Sequence, residues 1–274
     1  MFQYSFGKRV SEKFAIPLKL DISNLAERRY ELGIFSLADG IATKNDMLLF
    51  DRRNAGFSKK LVYKIKSLFS MPAHFSEEEG KCFSLPAKSA KNILMTGYWQ
   101  NEKYFKDSEA AIRRSFTFPC ITCEANKVIN ERILESNSVG IHIRRGDYLL
   151  AQNAEIHGIL NVEYYREAID YMQKETKDPV FFIFSDDPEW VKGNIHINGT
   201  VYYVNGNQGR EAYIDMQLMS YCRHNIIANS SFSWWAAWLN VNPNKIIVAP
   251  EDWFADRNKN ELNKDIVPDK WIRL

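Results

Sequence analysis

Residues 139–147 read VGIHIRRGD, and residues 180–187 read VFFIFSDD. Each begins as a short apolar run and stops abruptly at charged or small polar residues. Apolar runs of that length without strict alternation read as strands buried on both faces, the mark of a parallel sheet. Between them, 161–175 has helical spacing, with Asn161 as N-cap and Tyr164, Ala168 and Tyr171 on one face. The pattern continues as helix 188–193, strand 200–204, helix 210–222, strand 225–228, helix 231–239 and strand 245–249. Strands alternating with helices build βαβ units, so the fold class is α/β with a parallel sheet covered on both faces.

Towards the amino terminus the pattern loosens. Helices are expected over 4–14, 25–32 and 101–115, and a buried strand over 92–98 (NILMTGY). The polar stretch 123–138 is where a domain join is expected, giving domains 1–136 and 137–274. The 274 residues suit two domains at about 150 residues each.

Composition removes several function classes. Apolar residues at 45% and charged residues at 26% describe a globular chain. Lys+Arg 36 against Asp+Glu 34 leaves +2, so no charge excess points to nucleic acid or an anionic membrane face. No apolar run is long enough to span a bilayer. The opening MFQYSFGKRVSEKF lacks the pattern of a secretory signal. Of the four cysteines, Cys120 and Cys123 form a lone C-x-x-C without a second ligand pair for zinc, and all four read as reduced thiols of a cytosolic protein. There is no G-x-x-x-x-G-K-[ST], no G-x-G-x-x-G and no metal-held D-x-D; Asp186-Asp187 is the nearest acidic pair.

In parallel sheets ligands bind beyond the carboxyl ends of the strands. Those ends carry Arg144, Arg145, Gly146 and Asp147; Ser185, Asp186 and Asp187; Asn205; and Asn229, Ser230 and Ser231, with Phe232 following. Adjacent guanidiniums can fork onto phosphate oxygens; the alternative is an Arg145–Asp147 surface pair. The Arg145-Gly146-Asp147 string is also the integrin tripeptide, which a buried strand end does not favour. The turn before helix 231–239 offers open amides and a partial positive charge to an anion; simple N-capping by Ser230 or Ser231 is compatible with it. Trp234, Trp235 and Trp238 read as packing against the sheet, with a stacking platform as the other option. Asp215 is a solvated acid or a purine-reading carboxylate. His142 is a core histidine or a nucleotide contact. Trp99 packs or lines a sugar site. These residues point to a metal-free site for a diphosphate, hence to a nucleotide or nucleotide-sugar enzyme.

The chain also resembles the bacterial α-1,2-fucosyltransferases of glycosyltransferase family eleven over nearly its whole length. The resemblance rests on MFQYSFG at the start, RRYELGIF at 28–35, GYWQNEKYFKD at 97–107, GIHIRRGDYL at 140–149, FIFSDDPEWVKGN at 182–194 and YIDMQLMSYCRHNIIANSSFSWWAAWLN at 213–240. It implies a GT-B architecture, two Rossmann-like domains facing a cleft, with GDP-fucose held in the second (137–274) and the first (1–136) on the acceptor side. It implies Arg144, with Arg145 beside it, on the donor diphosphate, Ser231 on the β-phosphate, Asp215 on the guanine and His142 near the base. The family's first motif, G-x-L-G-N-Q-M-F-Q-Y-A, is met here only from its methionine. The first domain is therefore expected to lack its first strand and glycine turn, through a misassigned start or a truncation.

The activity so implied is inverting transfer of L-fucose from GDP-β-L-fucose to O2 of a terminal galactoside, in surface glycan or O-antigen synthesis. The partners implied are GDP-fucose and a galactose-terminated glycan or glycolipid, with no nucleic acid, no metal and no other cofactor. The location implied is cytoplasmic, with loose association at the inner membrane. Asp147 and Glu155 are the candidate bases. The alternatives are a different GDP-sugar or linkage, and an inactive paralogue that only binds nucleotide.

Overall fold

The computed structural model describes residues 1–23, 25, 29–47, 50, 73–78, 92–146, 148, 155–156 and 158–274. They form two compact units, Met1–Pro119 and Cys120–Leu274.

In the first unit, helix α1 (Phe2–Phe14) precedes two short parallel pairs, β1 (Lys19–Leu20) with β2 (Gly40–Ile41), and, after α2 (Lys44–Met47), β3 (Ala73–Ser76) with β4 (Ile93–Thr96). Phe6 and Val10 of α1 are buried with Trp99, and Phe75, Ile93 and Met95 pack against them. Among the described residues these pairs are separate two-stranded sheets rather than one Rossmann-type sheet. The helix expected over 101–115 is interrupted: two 3-10 turns, Glu102–Tyr104 and Lys106–Ser108, precede α3 (Glu109–Ser115). Asn101 caps the first turn, its side chain accepting from the Lys103 N–H at 2.8 Å. Phe105, fully buried with φ −141°, breaks the helical run between the turns. Of the stretch 25–32, the described Leu25, Arg29 and Tyr30 are not helical, and 26–28 lie outside the described residues.

The second unit begins with α4 (Glu124–Glu135), on the stretch where the domain join is expected; the division falls earlier, at Pro119. Then follow β5 (Asn137–Ile143), α5 (Val162–Glu175), β6 (Pro179–Ser185), α6 (Pro188–Asn194), β7 (Thr200–Val204), α7 (Ala212–Tyr221), β8 (His224–Ile226), α8 (Ser231–Leu239), β9 (Ile247–Ala249), α9 (Arg257–Leu262) and β10 (Ile272–Arg273). The sheet order is β10-β9-β8-β5-β6-β7 and each pairing is parallel. Renumbered from β5, this is the 3-2-1-4-5-6 order of a doubly wound sheet, and its switch point lies between β5 and β8.

Strand period separates the faces. Val139, Ile141 and Ile143 of β5 join Phe181 and Ile183 of β6 in a core with Tyr164, Tyr165, Ala168, Ile169 and Met172 of α5. Gly140 and His142 point the other way. A Cβ on Gly140 would stand 3.1 Å from the Cys222 sulfur, and the His142 ring lies 5.3 Å from that of Phe232 on α8. Asn161 caps α5, its side chain accepting from the Tyr164 N–H at 2.9 Å. Helix α8 is apolar nearly all round and correspondingly buried. Trp234, Trp235 and Trp238 are all buried, and Trp234 Nε1 donates to the Ile266 carbonyl at 2.7 Å. They pack and provide no stacking platform. Among the described residues, no helix is long and apolar enough to cross a membrane.

Candidate active site

The doubly wound order brings together what the chain separates by some eighty residues. β5 and β8 are hydrogen-bonded neighbours with Ile141 opposite Ile226, so they run about 5 Å apart towards the same edge of the sheet. From β5 emerge Arg144 and Arg145; from β8 emerges the turn Asn229-Ser230-Ser231 that starts α8. A strand-end cation and a helix terminus thus share the switch point, where doubly wound sheets bind their ligands.

The two arginines differ. Arg145 is 16% exposed; its Nε lies 3.3 Å from Asp187 Oδ2 and its guanidinium sits 3.8 Å above the Trp190 ring, so carboxylate and indole pin it to α6. Arg144 is 33% exposed, 2.8 Å from Asp186 Oδ2, with its guanidinium 5.9 Å from the centre of the Tyr148 ring. Arg144 is the more accessible to an incoming diphosphate, while Arg145 is built into the wall.

Asp186 and Ser185 are expected on the donor, but both are engaged in the protein. Asp186 holds Arg144 and accepts the Arg145 N–H at 2.9 Å. The Ser185 hydroxyl accepts the Asp187 N–H at 3.0 Å. Asp187 in turn caps α6, accepting the Trp190 N–H at 3.2 Å, with Pro188 at the first turn. A carboxylate facing a diphosphate would repel it; one that orients the arginine helps it. A Cβ at Gly146 would stand 2.8 Å from Asp186 Oδ2, so a side chain there would displace that carboxylate.

On the β8 side, Ser230 is a capping residue: its hydroxyl accepts the Phe232 N–H at 3.3 Å. The Asn229 side chain donates to the carbonyls of Trp253 at 3.2 Å and Gly158 at 3.4 Å, so its amide positions the turn. Ser231 is exposed at the first position of α8, in the turn that carries the helix's open amides. Tyr148 ties the halves together: its O–H donates to the Asn229 carbonyl at 3.0 Å while its ring lies by Arg144. Sequence reasoning missed it, since nothing in the order of residues links position 148 to position 229.

His142 is buried under Phe232, and its Nδ1 has no hydrogen-bond partner among the described residues. Burial first, then the Arg144 charge, lowers its pKa to about 3, with Asp186 opposing, so the ring is neutral at ordinary pH. Asp215 stands near the carboxyl end of β7, where Asn207 Nδ2 donates to its Oδ1 at 2.7 Å. Asn207 and Asn126 exchange amide hydrogen bonds at 2.8 and 3.0 Å, which fixes which way the Asn207 amide faces. Burial pushes the Asp215 carboxyl up to about 6, against the Asn207 hydrogen bond.

Trp99 is 2% exposed in the core of the first unit, which corrects the expectation that it lines a sugar site. Glu155 is exposed; Asp147, Cys82 and His157 lie outside the described residues. Cys120 and Cys123 are exposed and Cys222 is buried. Among the described residues no group of three or more His, Cys, Asp or Glu could hold a metal ion.

Residues 63–274 match the model of glycosyl transferase family 11. The chain is 35% identical over 283 residues to an alpha-1,2-colitosyltransferase of Escherichia coli, covering 100% of this chain and 94% of that protein. It is 43% identical over 149 residues to the O-antigen biosynthesis glycosyltransferase WbnK of Escherichia coli, covering 54% of this chain and 47% of that one. Against the galactoside alpha-(1,2)-fucosyltransferase 1 of Ateles belzebuth it is 30% identical over 156 residues, 54% of this chain and 43% of that one. The chain therefore aligns with less than half the length of the last two. Among solved structures, the fucosyltransferase NodZ from Bradyrhizobium aligns with 68% of this chain and 61% of its own, at 17% identity and a TM-score of 0.40.

Proposed function

Since the chain belongs to glycosyltransferase family 11, we propose that it transfers L-fucose from GDP-β-L-fucose to O2 of a terminal galactoside, with inversion and without a metal ion. The second unit is its donor domain, in a GT-B-like enzyme. The observation that carries this reading is Arg144 and the α8 terminus emerging from neighbouring strands at the switch point. In the reaction the acceptor O2 attacks the anomeric carbon from the face opposite the diphosphate. The bond from that carbon to the phosphate oxygen breaks, its electron pair goes to the departing GDP, and the O2 proton is released to solvent or to the departing phosphate. Negative charge grows on the β-phosphate, so fixed positive groups there lower the barrier. Arg144, oriented by Asp186, and the first-turn amides beside Ser231 supply those groups. Asp215 accepts from the guanine, and His142 lines the base pocket as a neutral ring.

The 35% identity with a colitosyltransferase over the whole chain supports a second donor. Colitose is fucose without its 3-hydroxyl, and both would leave GDP by the same chemistry. The likeness to WbnK supports O-antigen precursors as acceptors, handled at the cytoplasmic side of the inner membrane. The test is incubation with GDP-fucose or GDP-colitose and a panel of β-galactosides, with the product linkage read by NMR. An α-1,2 product from either donor supports the reading and the preferred donor separates the two. GDP-dependent transfer to another position, or no transfer from either donor, refutes it.

A further inference from the structure

Near the carboxyl end of β7, three side chains form a chain of hydrogen bonds of which the reaction above uses only the last. We propose that Asn126 of α4, acting through Asn207, is a positioning residue that sets the plane of the Asp215 carboxylate and so selects guanine by its 2-amino group. This inference rests on Asp215 as the group that accepts from the guanine.

Asn126 lies in the first turn of α4 and Asn207, 81 residues further on, in the loop between β7 and α7. Both are buried. Asn126 Nδ2 donates to Asn207 Oδ1 at 2.8 Å, and Asn207 Nδ2 donates back to Asn126 Oδ1 at 3.0 Å. One N–H of Asn207 Nδ2 remains, and it donates to Oδ1 of Asp215, in the first turn of α7, at 2.7 Å. A flipped Asn207 would turn nitrogen to nitrogen and oxygen to oxygen across the pair, and would set an oxygen against the carboxylate. The pair therefore has one self-consistent orientation, and Asn126 enforces it from outside the loop. The loop has no regular ladder to do so: Gly206 and Gly209, on either side of Asn207, hold φ of 99° and 59°, where glycine is favoured.

A packing role alone needs no amides. Two leucines have nearly the shape of two asparagines, and replacing both partners of a buried hydrogen bond by apolar groups of the same shape is close to neutral. What leucine does not supply is the N–H on Asp215.

Guanine presents two parallel donors, N1–H and one N–H of its 2-amino group. A carboxylate that swings can follow a single N–H, but two parallel ones are met only by a carboxylate held in one plane. The Asn207 bond holds that plane through Oδ1, which keeps a second lone pair, and spares Oδ2 for the base. Burial pushes the Asp215 carboxyl up to about 6 and the Asn207 bond pulls against it, so the amide also favours the ionised form that accepts both donors.

The test compares GDP with inosine diphosphate, which lacks only the 2-amino group, by calorimetry on the full chain. The wild type should bind GDP at least about tenfold tighter, and Asp215→Ala should bind the two alike. Asn126→Leu should weaken GDP about tenfold and inosine diphosphate less than about threefold, Asn207→Leu should match it, and neither should weaken binding further in the Asp215→Ala background. A merely structural asparagine would weaken both nucleotides in parallel; that result overturns the proposal, as does a further loss in the Asp215→Ala background. If thermal denaturation shows that leucine disrupts the fold, Asn126→Ala removes the same amide without added bulk and is judged by the same ratio. Discrimination lost in Asp215→Ala but kept in Asn126→Leu defeats this proposal alone. A wild type that binds both nucleotides alike, or an Asp215→Ala that still discriminates, defeats the guanine contact of Asp215 and this proposal with it.

Discussion

Replacing Arg144 by alanine separates a catalytic role from a structural one, because the two predict effects of very different size. The guanidinium is 33% exposed and its partner Asp186 25% exposed, 2.8 Å apart. An ion pair this open to solvent contributes about 0–1 kcal/mol to stability, so Tm should fall by no more than about 4 °C. The effect on turnover should be far larger. A unit charge about 4 Å from a developing phosphate charge interacts by about 4 kcal/mol at an effective dielectric of about 20. Loss of one transition-state donor typically costs ~10²–10³ in kcat, which is the same range. Arg144→Lys should recover less than about a tenth of the lost rate, since an ammonium cannot fork between Asp186 and a phosphate oxygen. The assay is steady-state GDP release at saturating acceptor, beside thermal denaturation of each variant. Turnover within tenfold of wild type in a folded Arg144→Ala would refute the reasoning. So would a collapse of Tm, which would make the arginine structural.

Other perturbations probe the supporting groups. Gly146→Ala forces Asp186 aside, since the added Cβ would lie 2.8 Å from Oδ2; GDP affinity should fall about tenfold by calorimetry. Tyr148→Phe removes the bond to the Asn229 carbonyl and should cost about 1–2 kcal/mol in unfolding free energy, read by denaturant titration. Asp215 holds its proton to about pH 6 when folded, against 3.8 for an ordinary aspartate. Its contribution to stability is therefore complete below pH 3.8 and lost as pH rises through 6. Asp215→Asn should flatten that slope, and wild-type GDP affinity should rise across the same interval as the carboxylate ionises. The His142 ring, with its pKa near 3, should show no imidazole titration by NMR between pH 5 and 8.

The doubly wound unit was legible because its signals are local. The apolar runs of β5, β6 and β7 and the caps Asn161 and Ser230 announce themselves within a few residues, and predicted and observed elements agree within a residue or two for much of 137–249. β10 was missed because a two-residue edge strand has no pattern of its own; pairing with β9 defines it. Helix α4 was read as a join because polar residues outnumber the buried Ile133 and Asn126 that anchor it. At the candidate site, strand ends alone single out the arginines and the Ser230-Ser231 turn, and the strand order brings them to one place. For Asp186, Ser185 and Asn229, composition shows that a polar side chain is present but not the protein partners that the fold gives it.

Sequence alone determined that 137–274 would fold as alternating strands and helices with a cation and a helix start at strand ends, because period, caps and apolar runs act over a few residues. Only the tertiary structure decided that those two features meet. Strand order places β8 against β5 and sends β6 and β7 to the other side, and that order is set by long-range pairing and the packing of helices on both faces. In the first unit, packing against Phe6 and Val10 of α1 buries Trp99, and in the second the neighbouring strand end turns Asp186 towards Arg144. Each depends on which distant surface a side chain meets, and one-dimensional spacing does not encode that.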